Sequence, residues 1–117
     1  MTLEQFEATL SGEAPPQVTE RSEGYEQGGA GRSSSDAVLN SLAAMWYEGK
    51  GDWEQAHTIA QGIPTREGAW VHAYLHRKEG DDWNANYWYN RADRSMPDYS
   101  LEREWKEMVR SLLGTLR

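Results

Sequence analysis

The sequence predicts an all-α fold made of two antiparallel helical hairpins and a C-terminal capping helix. Apolar residues recur at helical spacing through most of residues 36–117. The pairs Gly51–Asp52 and Gly80–Asp81 provide a residue suited to a left-handed helix end, followed by a residue that can cap the next helix. Pro64 and Pro97 close the second helix of each hairpin, because proline cannot continue a helix.

Residues 1–35 are predicted to be a flexible N-terminal segment, and residues 36–117 the helical-repeat domain. The first ten residues carry apolar side chains at the spacing of a short amphipathic helix. Residues 11–35 are rich in Gly, Ser, Pro, Glu and Gln and bury too little surface to offset their ordering entropy. In the alternative, the segment lies across the helical body with Phe6 and Tyr25 as anchors.

The first hairpin is predicted to begin near Asp36 and to end at Pro64. Asp36 can cap its first helix, which stops at the glycines after Glu48. Asp52 caps its second helix, with Gln55 in the capping-box position. The residues expected to face inward are Leu39, Leu42, Ala43, Trp46, Trp53, Ala56, Ile59, Ala60 and Ile63.

The second hairpin and the capping helix follow the same rules. Thr65 caps the third helix, which ends at Gly80, and Asp81 or Asp82 caps the fourth, which extends to Ser95. Ser100 caps the fifth helix. The inward residues of the fourth helix are Ala85, Trp88, Tyr89 and Ala92, and those of the fifth are Leu101, Trp105, Met108, Leu112 and Leu116.

An internal repeat supports the two-hairpin arrangement. An offset of 29 residues pairs Ala44 with Ala73, Gly51 with Gly80, Asp52 with Asp81 and Ala56 with Ala85. Small residues let the two helices of a hairpin approach closely, and neighbouring hairpins bury each other's apolar faces.

The stretches GKGDWEQAHTIAQGI and EGDDWNANYWYNRA resemble the turn between the two helices of tetratricopeptide and Sel1-like repeats. The matching residues are Gly51, Asp52, Trp53 and Ala56 in the first stretch, and Gly80, Asp81, Ala85, Tyr89 and Ala92 in the second. The period is shorter than the roughly 34 residues of tetratricopeptide repeats. The chain also resembles a family of small bacterial proteins of undefined function. The resemblance implies a helical fold and, for repeats of this kind, binding to other proteins.

Charge and composition exclude several classes of function. The net charge of −7 argues against nucleic acid and against an anionic membrane surface. The chain has no cysteine, so neither disulfides nor thiolate chemistry is expected. The N-terminus is acidic and lacks the apolar run of a secretion signal, and no stretch is apolar enough to span a membrane. We therefore expect a cytoplasmic protein.

Two histidines provide the first candidate site. His72 and His76 lie four residues apart, so they share one face of the third helix, and Glu79 continues that face. Such a set can bind zinc or another divalent metal if the fold brings His57 close. The metalloprotease pattern is absent, because Ala73 rather than Glu follows the first histidine. In the alternative, the histidines are partly buried structural residues bonded to backbone groups or to Glu79.

Aromatic residues near the histidines provide the second candidate site. A concave face could hold a peptide or a planar ligand by stacking, with Arg77 or Arg91 contacting a carboxylate. The residues proposed to bind the ligand or partner are Tyr47, Trp70, His72, His76, Trp88 and Arg91. In the alternative, these aromatic side chains supply the bulk of a small core.

The leading prediction is a non-enzymatic interaction module that binds a peptide or partner protein, with no catalytic residue and no required cofactor. The alternative is a small-molecule or metal-binding protein, with or without enzymatic activity, that uses His57, His72, His76 and Glu79. The first predicts a groove with the histidines at its rim, and the second predicts three imidazoles that converge on an enclosed pocket. A homodimer is a further expectation, since a short stack leaves apolar ends open.

Overall fold

The computed structural model describes residues 1–17 and 34–116, and this part of the chain is all-helical, with no strand. A single 3₁₀ turn, Thr9–Ser11, follows the first helix. The α-helices are α1 (Leu3–Ala8), α2 (Ser34–Gly49), α3 (Trp53–Ala60), α4 (Arg66–Glu79), α5 (Asp82–Arg91) and α6 (Leu101–Thr115). None of the helices in the described ranges combines the length and the apolar character that a membrane crossing requires.

Helix α2 packs against α3, and α4 packs against α5, an arrangement consistent with two hairpins. The predicted turn residues take the expected conformations, with φ of 90° at Gly51 and 88° at Gly80. The carboxylates of Asp52 and Asp81 accept hydrogen bonds from backbone N–H groups three residues later, at 3.1 and 3.2 Å. The Gly-Asp pairs therefore end one helix and cap the next, as predicted.

Two helix boundaries differ from the sequence prediction. Helix α2 begins at Ser34, so Asp36 lies in its first turn instead of capping it. Helix α5 ends at Arg91 and does not extend to Ser95. Asp93 adopts a left-handed conformation, with φ of 64°, which aspartate tolerates better than most residues and which ends the helix.

The N-terminal helix packs on the helical body. Phe6 is fully buried, and its ring centroid lies 6.0 Å from that of Trp105 on α6. Lys50 donates hydrogen bonds to the backbone oxygens of Leu10 and Gly12, at 2.6 and 2.8 Å. This arrangement corresponds to the alternative in which Phe6 is an anchor. The other expected anchor, Tyr25, lies outside the described residues, as do residues 18–33 of the segment predicted to be flexible.

A buried carboxylate on α6 connects three helices. Glu104 is only 1% exposed. It accepts hydrogen bonds from Trp70 Nε1 at 3.1 Å and from the Tyr89 hydroxyl at 2.7 and 2.9 Å. Arg77 Nη1 lies 2.8 Å from Glu104 Oε1 and forms an ion pair. Because these donors come from α4 and α5, one side chain joins the capping helix to the second hairpin.

We expect the substitution Glu104→Ala to lower the free energy of unfolding by about 3–5 kcal/mol. The substitution removes the counter-ion of Arg77, whose side chain is 15% exposed, and the acceptor for Trp70 and Tyr89. Urea unfolding followed by circular dichroism measures this change.

The matched control is Glu102→Ala on the same helix, because the Glu102 side chain is 79% exposed and has only a long contact to Lys106. That substitution should change the free energy of unfolding by no more than about 0.5 kcal/mol. Equal effects of the two substitutions would contradict a structural role for the buried carboxylate.

Candidate metal centre

Three imidazole rings converge between α3 and α4. His57 is on α3, and His72 and His76 lie one turn apart on α4. One ring nitrogen from each histidine lies within 4.8 Å of the others, and Nε2 of His57 is 3.1 Å from Nε2 of His72. The packing of α3 on α4 thus places His57 beside the pair that the sequence put on one helix face.

The spacing of the three nitrogens suits a transition-metal ion. A tetrahedral zinc site with Zn–N bonds of about 2.0–2.1 Å has ligand nitrogens roughly 3.3 Å apart. The His57–His72 separation of 3.1 Å is close to this value, and the ring nitrogen of His76 lies within 4.8 Å of the other two. Within the described residues this group has three members, so a four-coordinate ion would keep one position for an external ligand.

Stacked indole rings orient two of the imidazoles. The ring of Trp53 stacks on that of His57 with centroids 4.9 Å apart, and Trp88 stacks on His72 with centroids 4.0 Å apart. Trp53 Nε1 also donates a hydrogen bond to the backbone oxygen of Leu75 at 2.8 Å, which fixes its ring. Contacts between ring faces leave the edges of the imidazoles, and therefore their nitrogens, available for other partners.

A carboxylate orients the third imidazole. Glu79 Oε2 lies 2.7 Å from His76 Nδ1. A hydrogen bond there leaves Nε2 as the coordinating atom of His76, which is the usual arrangement around a metal-bound histidine. Glu79, which the sequence predicts as a candidate metal ligand, contacts the ring of His76 in this geometry. Glu79, His76 and Asp81 also form a second group with donor atoms within 4.8 Å of one another.

Burial keeps two of the imidazoles neutral at physiological pH. Burial and, to a lesser extent, the neighbouring charges of His57 and His76 together lower the pKa of His72 from 6.5 to about 4. Burial and then the charge of His76 also lower the pKa of His57, against a smaller opposite effect of Glu79 and Glu54. Neutral imidazole is the form that binds a metal ion, so the site is prepared for coordination.

Some of the predicted binding residues lie elsewhere. Trp70 is 5% exposed and donates its indole hydrogen bond to Glu104, away from the histidines. Tyr47 is on α2, where its ring packs edge-on against that of Trp46 with centroids 5.2 Å apart. The structure thus separates these two aromatic residues from the imidazole cluster.

Other predicted binding residues do meet at the site. His72 contacts Trp88, and the Arg91 guanidinium carbon lies 5.4 Å from the centroid of the Trp88 ring. His57 and His76 are partly exposed, so the cluster opens to solvent on one side instead of lining an enclosed pocket. The sequence analysis assigned Trp53 only to the core. Its position four residues before His57, on the same helix face, is the signal that would have placed it at the site.

The comparisons with known proteins found no matching family model, no matching curated protein and no matching solved structure. The resemblance to tetratricopeptide and Sel1-like repeats therefore stays a prediction.

We expect the metal-free protein to lose stability as the pH falls from 6.5 toward 4. The folded chain holds His72 with a pKa of about 4, while the unfolded chain takes up a proton near 6.5. Protons therefore favour the unfolded state in this range, by up to about 3 kcal/mol for His72. His57, whose pKa is also lowered, contributes in the same direction. Urea unfolding at several pH values in EDTA measures the effect.

The control is His72→Phe, which keeps an aromatic ring against Trp88 but has no titratable group. Carboxylates titrate in both proteins, so the difference between the two pH profiles isolates the imidazole. Identical slopes between pH 6.5 and 5 would show that His72 is not held neutral.

Proposed function

We propose that this protein binds a divalent transition-metal ion, with Zn²⁺ as the best-fitting example, through His57, His72 and His76. The observation that supports the proposal is the convergence of three ring nitrogens within 4.8 Å from two different helices. Of the two functions that the sequence left open, this geometry favours the one that requires the imidazoles to meet.

The chemistry of the donors points to a particular group of metals. Imidazole ligands suit zinc, copper, nickel and iron, whereas calcium and magnesium prefer oxygen donors. The chain has no cysteine, so thiolate cannot contribute to selectivity. The hydrogen bond between His76 and Glu79 and the two stacked indoles hold the rings in place before an ion arrives. Such preorganisation increases affinity because less side-chain entropy is lost on binding.

A purely structural role for the cluster explains the contacts less well. The close His57–His72 approach is favourable only when one ring nitrogen donates a hydrogen bond to the lone pair of the other, and two rings that are both protonated would repel each other. A metal ion would accept a lone pair from each imidazole and would join α3 to α4. The peptide-binding function stays a prediction, and it shares His72 and His76 with the proposed metal site.

We expect the protein to bind one Zn²⁺ per chain at pH 7.5 and to become more stable when it does. At a free zinc concentration 1,000 times the dissociation constant, the free energy of unfolding should rise by about 4 kcal/mol. Each of the substitutions His57→Ala, His72→Ala and His76→Ala should weaken binding by roughly 100-fold or more, because each removes a ligand. Competition with a chromophoric chelator measures the affinity, and thermal melting measures the stabilisation.

Two further variants separate this site from the neighbouring group of His76, Glu79 and Asp81. Asp81→Ser removes a carboxylate but keeps a residue that can cap α5, so it should leave zinc affinity unchanged. Glu79→Gln should weaken binding by about 10- to 100-fold, since it loses the carboxylate that orients His76. Zinc that still binds to the His57→Ala protein but not to the Asp81→Ser protein would move the site to that group. No zinc binding by the unaltered protein would overturn the proposal.

A further inference from the structure

A row of exposed side chains runs along α5 on the surface next to the imidazole cluster. Trp83, Tyr87 and Arg91 are spaced four residues apart and so lie one above the other on the helix. Trp83 is 76% exposed and Tyr87 46% exposed. Their rings are nearly parallel, with an interplanar angle of 9° and centroids 6.4 Å apart, and the Arg91 guanidinium carbon lies 5.8 Å from the Tyr87 centroid. We call these three residues the α5 row.

The exposed side chain of Trp83 in this row contributes little to the packing of the fold. Among the described residues Trp83 has one ring–ring contact, which is with Tyr87, and its indole N–H donates no hydrogen bond. The apolar residues of α5 that the core requires are on its other side, where Ala85 and Tyr89 are buried. An indole exposed to this extent contributes little to folding, although it presents a large apolar surface to solvent.

The charge of the row is opposite to that of the whole chain. The protein carries a net charge of −7, yet no carboxylate lies between Trp83 and Arg91 on α5. Within the described ranges Arg91 forms no ion pair, and its one hydrogen bond is a long contact of 3.5 Å to the Tyr87 hydroxyl. The exposed residues Asn86 and Asn90 add amide groups beside the row. A guanidinium held beside aromatic rings, with no ion pair to any of the described residues, is suited to a carboxylate from another molecule.

We propose that the α5 row binds a segment of a partner protein in which an aspartate or glutamate stands next to an aromatic or aliphatic side chain. The carboxylate pairs with the guanidinium of Arg91, and the apolar side chain packs on the rings of Trp83 and Tyr87. Trp, Tyr and Arg are the residue types most enriched among the dominant contacts of protein interfaces, and here all three share one helix face.

A second copy of this chain is the less suitable occupant. Two molecules that each carry a charge of −7 repel each other, and the repulsion is strongest at low ionic strength. A short segment of another protein that brings a single carboxylate meets much less of this repulsion, and it needs to match only the positive charge of Arg91 and the apolar surface beside it. The row is separate from the three metal ligands, so the proposal does not depend on metal binding.

The test is a selection from a random twelve-residue phage-display library against the full chain in EDTA, followed by fluorescence anisotropy with the selected peptides, labelled with fluorescein. Enriched peptides should carry Asp or Glu beside an apolar residue. Replacing that acid by its amide should weaken binding by at least tenfold. Trp83→Ala and Arg91→Gln should each weaken binding by about 30-fold, and Arg91→Gln should abolish the preference for acid over amide.

The matched control is Arg110→Gln, which removes the same charge from an exposed site on α6 and should leave peptide binding unchanged. Circular dichroism melting verifies that each variant is folded. The proposal is overturned if no peptide is enriched, if the acid-to-amide change has no effect, or if the α5 variants bind as well as the unaltered chain. A dimer in sedimentation equilibrium that Trp83→Ala abolishes would also overturn it, since the occupant would then be a second copy.

Discussion

Helix α4 contacts α2, α3, α5 and α6, and its burial is the constraint on which the rest of the structure depends. Every residue from Gly68 to Leu75 is buried, so this stretch has no side that faces solvent. The backbone of α4 at Gly68 lies very close to the connection that precedes it. A Cβ atom at Gly68 would lie 2.4 Å from the backbone oxygen of Ile63. A larger residue at this position would push α4 away from the connection that leads into it.

The polar side chains of a helical stretch that is buried on all sides need hydrogen-bond partners. Those of α4 find partners on two neighbouring helices, α6 and α3. Toward α6, Trp70 and Arg77 use the carboxylate of Glu104. Toward α3, His72 meets His57. On the α6 side, the buried charge of Glu104 is compensated by the opposite charge of Arg77. Two neutral donors, Trp70 and Tyr89, also bond to the carboxylate, so this arrangement is stable. On the α3 side, the facing nitrogens of His57 and His72 lie against each other, and these are satisfied only while one donates a hydrogen bond to the other or both bind one metal ion.

The sequence alone was sufficient for the features that depend on local chemistry. The caps at Asp52, Thr65, Asp81 and Ser100 and the left-handed conformations of Gly51 and Gly80 are present, because each is determined by residues within one turn, whereas Gly49 is the last residue of α2. The all-α class followed from the periodicity of the apolar residues. The imidazole pair on α4 was also predictable, since residues four apart on a helix share a face.

Features that depend on the packing of distant segments could not be predicted in this way. Trp70 was grouped with His72 because they are neighbours in sequence, but side chains two residues apart on a helix point in nearly opposite directions. Glu104 was not recognised as buried, because its donors are 15 to 34 residues away in the chain. The contribution of His57 required the α3–α4 contact. The periodicity of a single helix contains no information on which neighbour it will meet.

Burying the imidazole cluster lowers the stability of the fold, and this loss bears on the role of the cluster. Polar groups removed from water reduce stability unless their partners compensate fully, and apolar residues of similar volume fill such positions at lower cost. Burial lowers the pKa of His72 to about 4, which shows that the fold penalises its charged form. Stacking on Trp53 and Trp88 and the bond to Glu79 then fix the three rings without occupying the nitrogens that face one another. Side chains that only fill space do not need their nitrogens to face one another. Side chains that bind one shared metal ion do need this orientation.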